Sequence, residues 1–177
     1  MLPLKIRADL QVNNGSRKLV LVAVENEKPE HLGMKLAAYL LLWKDELVVD
    51  PSLKSPALTG QAFRPDLLGA DITGSTAVWV ECGNTSDHKL GKVLRRWPEA
   101  RFMVLKEHRR AAEAFREILA AKVAKSERVR ICYWPDGAFA EWMGCLSEKT
   151  EIIGETNDSS MNLVVNERVY MVDMLKC

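Results

Sequence analysis

A strand that is apolar on both faces most constrains how this chain can fold. It lies in STAVWVECG, residues 75–83, where residues 77–80 are all apolar. Strands of this kind lie in the centre of a sheet that helices cover on both faces. The next segment, SDHKLGKVLRRWP, predicts a helix that Ser86 caps and that stops at Pro98, and ARFMVLK predicts another strand. This order indicates an α/β fold.

The flanking segments extend the same alternation of strands and helices. Two β-favouring runs surround NNGS, whose Asn-Gly pair favours a tight hairpin. Two further helices and one strand are expected in EKPEHLGMKLAAYLLLW, EHRRAAEAFREILAAKVAKS and RVRICYWP, in that order. A region of loops and turns follows, and MNLVVNERVYMVD closes the chain as a strand pair or a bent strand. The pattern therefore predicts a mixed β-sheet flanked by helices.

Length and charge exclude some classes of protein. With 47% hydrophobic residues, residues 1–177 are expected to form one domain with a buried core. No apolar stretch approaches the ~20 residues that a membrane span requires, so we expect no contact with a membrane. The four cysteines have neither the close pairs of a zinc site nor the density of a secreted disulfide scaffold, so we expect reduced thiols and a cytoplasmic protein.

Acidic residues near the apolar strand form the first candidate site. Glu81 ends the strand, and a buried carboxylate is costly unless a cation or a metal pairs with it. Active sites of α/β sheets often form at strand ends, although Glu81 emerging into solvent is an equally simple interpretation. Asp66 lies upstream, with Asp71 as a rival, and both also suit turns. Acids on two adjacent segments are the minimum for a Mg²⁺ or Mn²⁺ site.

Glu30 is a third candidate acid, in the first turn of the predicted helix that contains LGMKLAAYLL. Its helical neighbours are small or apolar, so its side chain is a candidate to point inward. A carboxylate in a first helical turn also stabilises the helix dipole, which is the alternative explanation.

Basic residues on the helix after Glu81 are candidates for phosphate binding. Lys89, Lys92 and Arg96 are spaced to share one face, which either contacts a phosphate or is an ordinary solvated face. Residues 88–130 carry 13 basic and 5 acidic side chains. This concentration predicts nucleic-acid backbone contacts, to which we assign Lys89, Arg95 and Arg96. Cys82 is expected to be a packed, inert thiol.

Several motifs together resemble the YaeQ family. They are KPEHLGMKLAAYLLLW, RPD, WVECG followed by HKLGKV, and the late VVNERVYMVD, in that order along the chain. The resemblance implies a restriction-endonuclease-like fold with a variant PD-(D/E)XK nuclease site. It matches Asp66, Glu81 and Glu30 to the family's acids and Lys92 to its lysine. An ordinary nuclease of this superfamily has its lysine two residues after the strand-end acid, where this chain has Gly83.

These residues lead to one hypothesis and one competitor. The hypothesis is metal-dependent hydrolysis of a phosphodiester, in which Asp66 and Glu81 hold Mg²⁺ or Mn²⁺ and Glu30 is an accessory ligand or orients a metal-bound water. Lys92, with or without the nearer Lys89, positions the water or stabilises the negative charge of the transition state. The competitor is a nucleic-acid-binding or protein-interaction module that keeps the acids without turnover. Convergence of the four residues Glu30, Asp66, Glu81 and Lys92 on one metal would favour the enzyme.

Overall fold

The protein is a mixed α/β structure of two sheets and four α-helices, seen in a computed structural model that describes residues 3–177. The strands are β1 Lys5–Val12, β2 Gly15–Val22, β3 Val48–Val49, β4 Leu67–Ala70, β5 Thr76–Cys82, β6 Arg101–Lys106, β7 Val129–Tyr133, β8 Lys149–Thr156, β9 Ser160–Val165, β10 Arg168–Asp173 and β11 Leu175–Lys176. The helices are α1 Pro29–Leu41, α2 Asp87–Arg96, α3 Arg109–Lys122 and α4 Ala138–Cys145.

The strands form two separate sheets, which we call the first and the second sheet. The first has the order β10-β9-β8-β1-β2, and the second has the order β11-β7-β6-β5-β4-β3. In the second sheet β5, β6 and β7 are parallel, whereas β4 is antiparallel to β5. The sequence predicted a central position for β5, and the structure confirms it.

Helix α1 lies between the two sheets, which explains its unusual sequence. Ten of its 13 residues are buried, and it contacts strands of both sheets. A helix with only one covered face would show a polar stripe, but α1 is apolar almost all round. Among its ten buried residues the charged one is Lys35, whose side chain is only 3% exposed. One apolar core therefore contains α1 together with residues of both sheets.

Helices α2 and α3 cover the opposite face of the second sheet. A separate apolar core there contains Trp79 of β5, Leu90 of α2, Phe102 of β6 and Phe115 of α3. Because both helices follow parallel strands, both begin at the edge where β5 and β6 end. Ser86 caps α2 as predicted, since its Oγ accepts a hydrogen bond of 3.1 Å from the Lys89 amide. None of the helices in residues 3–177 has the length and apolarity needed to cross a membrane.

Three details differ from the sequence-based expectations. The chain builds two sheets rather than one, and the expected loop region contains α4 and β8. Strand β8 alternates buried and exposed residues along KTEIIGET. Because several of these residues are polar, the segment was expected to be a loop. The predicted first hairpin is confirmed, but Asn13 and Asn14 form its turn with φ of 50° and 62°, whereas Gly15 already pairs with Val12. Asn tolerates this left-handed conformation better than most residues.

Candidate functional site

Glu81 is a buried acid, and one of its two carboxylate oxygens, Oε1, contacts both an indole N–H and a lysine ammonium. The residue is 2% exposed and faces α2, on the same side of β5 as Trp79. The Trp79 indole Nε1 donates a hydrogen bond of 2.7 Å to Glu81 Oε1, and Lys89 Nζ lies 2.7 Å from the same oxygen. Lys89 Nζ also donates to the Arg64 carbonyl oxygen at 2.7 Å. These contacts exclude the interpretation that Glu81 emerges into solvent.

Burial controls the electrostatics of Glu81. Desolvation raises the pKa of this carboxyl above its ordinary value, and the nearby charge of Asp66 raises it further. Lys89 and the Trp79 hydrogen bond oppose this rise without cancelling it. A carboxyl with a raised pKa at the end of a central strand is typical of functional sites, although buried ion pairs produce the same effect.

Asp66 lies at the same end of β5, where the Cys82 amide and His31 of α1 contact its carboxylate. It directly precedes β4, and its amide donates to the Val80 carbonyl at 3.0 Å. Its Oδ2 accepts a hydrogen bond of 2.7 Å from the Cys82 amide and lies 3.1 Å from His31 Nε2. Burial by itself raises the pKa of Asp66, but the His31 and Cys82 interactions outweigh it, so the net pKa is lowered. Asp66 is therefore an ionised, fixed carboxylate.

A chain of alternating charges continues from Asp66 into the interior beside α1. His31 Nδ1 lies 2.7 Å from Glu27 Oε1, and Lys35 Nζ lies 2.5 Å from the same oxygen. Lys35 Nζ also donates to Asp50 Oδ1 at 2.7 Å. Although burial lowers the pKa of both basic groups, their acidic partners outweigh it and raise the net pKa of His31 and of Lys35. We call Asp66, His31, Glu27, Lys35 and Asp50 the α1-side network.

A cleft of about 450 Å³ opens beside this strand end, next to the N-terminal half of α1. Glu30, His31, Gly83 and Glu107 line it. Gly83 has φ of 70°, and a Cβ built there would meet only Met34 Sδ, at 3.8 Å. The half-buried Glu30 is thus at the cleft, on the α1 side of the sheet rather than on the α2 side that Glu81 faces.

The structure brings some predicted residues together and separates others. Asp66 and Glu81 share one strand end, and Lys89 contacts Glu81. Lys92 is exposed, with Nζ 5.8 Å from the centre of the Phe63 ring, and it forms no ion pair with a described acid. Asp71 lies at the other end of β4, in an exposed turn where its Oδ1 accepts hydrogen bonds from Thr73 and Ser75. Of the two rivals, Asp66 is therefore the acid beside Glu81.

Two residues of this region were not predicted from the sequence. Lys106 ends β6 and is 7% exposed, and its Nζ donates a hydrogen bond of 2.6 Å to the Gly83 carbonyl. His31 links Glu27 to Asp66 as described above. The segment RFMVLK carries the same signal as AVWVE, a charged residue that ends an apolar strand, so this pattern could have identified Lys106. Nothing in the sequence distinguishes His31 from an ordinary helix residue.

Several basic residues of the 88–130 segment have structural roles. The Arg116 guanidinium donates to the carbonyls of Ser126, Val129 and Cys177, and Arg128 donates to those of Leu94, Trp97 and Ala100. Arg130 pairs with Asp158. Arg95 and Arg96 are exposed in the last turn of α2 and remain free to contact a polyanion. The positive charge available to nucleic acid is thus smaller than the sequence suggests.

The residues of this site fit a metal ion through two carboxylates only. Asp66 Oδ1 and Glu81 Oε2 accept no hydrogen bond from residues 3–177, so one oxygen of each acid is available. Across that part of the chain, no three His, Cys, Asp or Glu side chains are grouped to hold a metal ion. Mg²⁺ commonly uses one or two carboxylates and keeps several waters, which is compatible with this pair. Cys82 is no ligand candidate, since burial raises the pKa of its thiol well above the ordinary value.

Comparison with known proteins identifies the family. The family model described as YaeQ protein matches residues 11–174. The crystal structure of YaeQ protein from Xanthomonas axonopodis pv. citri is similar, with a TM-score of 0.74 at 18% identity over 98% of this chain and 97% of that chain. That of YaeQ protein from Pseudomonas syringae has a TM-score of 0.73 at 14% identity, over 97% of this chain and 93% of that one. No curated protein matches the chain. The family match covers most of the sequence, and the chain therefore belongs to the YaeQ family.

Proposed function

We propose that this protein is a metal-dependent phosphodiesterase or nuclease, with a restriction-endonuclease-like fold and a variant PD-(D/E)XK site. One observation carries the proposal. Asp66 and Glu81 lie at the end of the central strand β5, each with one free carboxylate oxygen, beside the N-terminus of α2. Acids at such a strand end, close to a helix N-terminus, suit the binding of a cation and a phosphate together.

The proposal gives each side chain a specific role. Asp66 and Glu81 would hold Mg²⁺ or Mn²⁺, and Glu30, which lines the cleft, would orient a water bound to the ion. When held there, the ion would lower the pKa of a water and would neutralise charge on the phosphate. Lys89 leaves Glu81 to pair with the phosphate, or Lys92 does so from further along α2. The Cys82 amide and His31 fix the orientation of Asp66.

Cleavage of defined nucleic acids tests this function. Double-stranded DNA, single-stranded DNA and RNA are incubated with the protein and Mg²⁺, Mn²⁺ or EDTA. We expect cleavage of at least one substrate with a metal, and a loss of about 100-fold or more in Glu81→Gln and in Asp66→Asn. Glu155→Gln is the matched control, since it also neutralises a glutamate, but at an exposed position of β8 in the first sheet. Equal rates in Glu81→Gln and wild type would contradict the assignment.

A second candidate is a module that binds nucleic acid or protein without turnover. The ion pairs of Glu81 with Lys89 and of Asp66 with His31 favour it, because both acids already have a cationic partner. Isothermal titration with MnCl₂ separates the two candidates. The enzyme predicts Mn²⁺ binding that Glu81→Gln weakens, whereas a non-catalytic module predicts no Mn²⁺ binding at this strand end.

A further inference from the structure

Lys106 is a buried ammonium group without an acidic partner. Its residue is 7% exposed, and its Nζ has three N–H donors, of which the Gly83 carbonyl accepts one at 2.6 Å. Within residues 3–177 no carboxylate forms an ion pair with it, and the Phe115 ring centre lies 4.2 Å from Nζ. A buried cation with spare donors and no counter-ion is costly, which makes it a candidate to receive an anion.

The surroundings of Lys106 add positive potential. Lys106 lies on the α2 and α3 side of the second sheet, as Phe102 and Val104 of the same strand do. Helix α2 is capped by Ser86, four residues after β5, and α3 by His108, two residues after β6. Two helix N-termini therefore flank the edge where Lys106 lies, and each favours negative charge.

Among residues 3–177, Glu81 is the acid whose charge acts on the pKa of Lys106. Its register partner on β6 is Val104, so Lys106 is its diagonal neighbour two residues further along. Glu81 already pairs with Lys89. Burial lowers the pKa of Lys106, and the charge of Glu81 only partly opposes this. An incoming anion would stabilise the ammonium form that burial disfavours.

We propose that Lys106 binds an oxyanion, the phosphate group of the substrate, at the edge where β5 and β6 end. The identity of that anion rests on the proposed function. Lys106 then supplies a fixed positive charge at this strand end that is available without breaking the ion pair between Lys89 and Glu81. Lys106 donates one N–H to Gly83 and turns its remaining donors to the phosphate oxygens.

Titration with inorganic phosphate, without metal, tests the site directly. The side-chain resonances of lysine are followed by NMR, and Lys106 is identified by its absence from the spectrum of Lys106→Met. We expect phosphate to shift the Lys106 resonance in the wild type. In Lys106→Met we expect the dissociation constant, read from backbone amides at the start of α2, to rise roughly 10- to 100-fold, since hydrogen bonds to charged groups are worth about 1.5–3 kcal/mol. Lys149→Met is the control, because Lys149 is exposed in the first sheet.

The outcomes separate this inference from the proposed function. A Lys106 resonance that does not move at saturating phosphate overturns the inference, even if the protein cleaves nucleic acid. Phosphate-dependent shifts of Lys106 support it, even if no metal-dependent cleavage occurs. If Lys106→Met does not fold, the wild-type titration still decides, with Lys106 assigned by through-bond correlation to its backbone.

Discussion

The two sides of the β5 strand end use charged residues in opposite ways. On the α1 side, every member of the α1-side network contacts at least one group of opposite charge, and Lys35 contacts two. On the α2 side, Glu81 pairs with Lys89, while Lys106 contacts a carbonyl and the Phe115 ring but, within residues 3–177, forms no ion pair with a carboxylate. Every charge on the α1 side therefore has a partner of opposite sign, although three carboxylates share two cations, and this pairing is suited to hold Asp66 in place. The α2 side has a surplus of positive charge, which suits it to receive a ligand.

The largest expected effect comes from breaking the α1-side network at its centre. In Lys35→Met, Glu27 and Asp50 lose their shared cation, and the Glu27 side chain is only 3% exposed. Loss of one partner of a buried ion pair leaves an uncompensated charge, so we expect the free energy of unfolding to fall by about 3 kcal/mol or more. Urea denaturation measures it.

The matched control for this prediction is Lys18→Met, which removes an exposed lysine paired with Asp9 at 3.5 Å. We expect its effect to stay below about 1 kcal/mol. Equal losses in the two variants would show that the network does not stabilise the fold.

The sequence predicted the local order of this molecule better than its layers. The β5-α2-β6-α3-β7 succession was recognised because each element has a clear period or cap, such as Ser86 before α2. The first sheet was missed as a separate layer because β8 pairs with β1, and β9 with β8, so that the two ends of the chain meet only in three dimensions. No local pattern specifies partners that are so far apart in sequence.

In the candidate site, too, local patterns were predictable from the sequence and long-range contacts were not. Glu81 and Asp66 were recognisable because each adjoins an apolar strand of the second sheet. The sequence could not decide between Lys89 and Lys92. Both lie on α2, and only three-dimensional packing decides which of them reaches Glu81. Lys35 could not be recognised either, because its acidic partners Glu27 and Asp50 come from outside its own helix.

The next effect tests the pairing on the α2 side. In Lys89→Met, Glu81 keeps the Trp79 hydrogen bond but loses its cation. A buried acceptor that loses its partner costs about 1–3 kcal/mol, so we expect the free energy of unfolding at pH 7 to fall by about 2 kcal/mol. Thermal and urea denaturation of both proteins measure the difference.

The pH dependence of this loss identifies its cause. Burial raises the pKa of Glu81, so the folded protein binds this proton more tightly than the unfolded chain does. Ionised Glu81 therefore lowers stability as the pH rises above the ordinary carboxyl range, and Lys89 limits that loss. We expect the difference between Lys89→Met and wild type to shrink towards pH 4. A difference independent of pH would mean that Lys89 acts through packing on Trp79 instead.

A smaller effect is expected at the link between the network and Asp66. In His31→Gln, Glu27 and Asp66 lose the imidazolium between them. The net pKa of His31 is raised in the folded protein, so protonated His31 contributes stability that is complete below about pH 6.5 and is lost as the pH rises through the folded pKa. We expect the variant to be less stable by about 1 kcal/mol at pH 5.5 and by less at pH 9.

The NMR titration of His31 in the wild type checks the same sign independently. Its imidazole is expected to titrate above the ordinary histidine range, and the carboxylate signal of Asp66 to respond to the same transition. A His31 pKa below that range would mean that burial outweighs the two carboxylates.

The smallest expected effect concerns Lys92, the lysine that the family resemblance favours. It is exposed, and its one aromatic neighbour, Phe63, is centred 5.8 Å from Nζ. Lys92→Met is therefore expected to change the free energy of unfolding by less than about 0.5 kcal/mol. Because this substitution hardly affects the fold, any fall in cleavage rate would report contact with the substrate. A rate unchanged in Lys92→Met but lost in Lys89→Met would place the function on Lys89, since it alone of the two reaches Glu81.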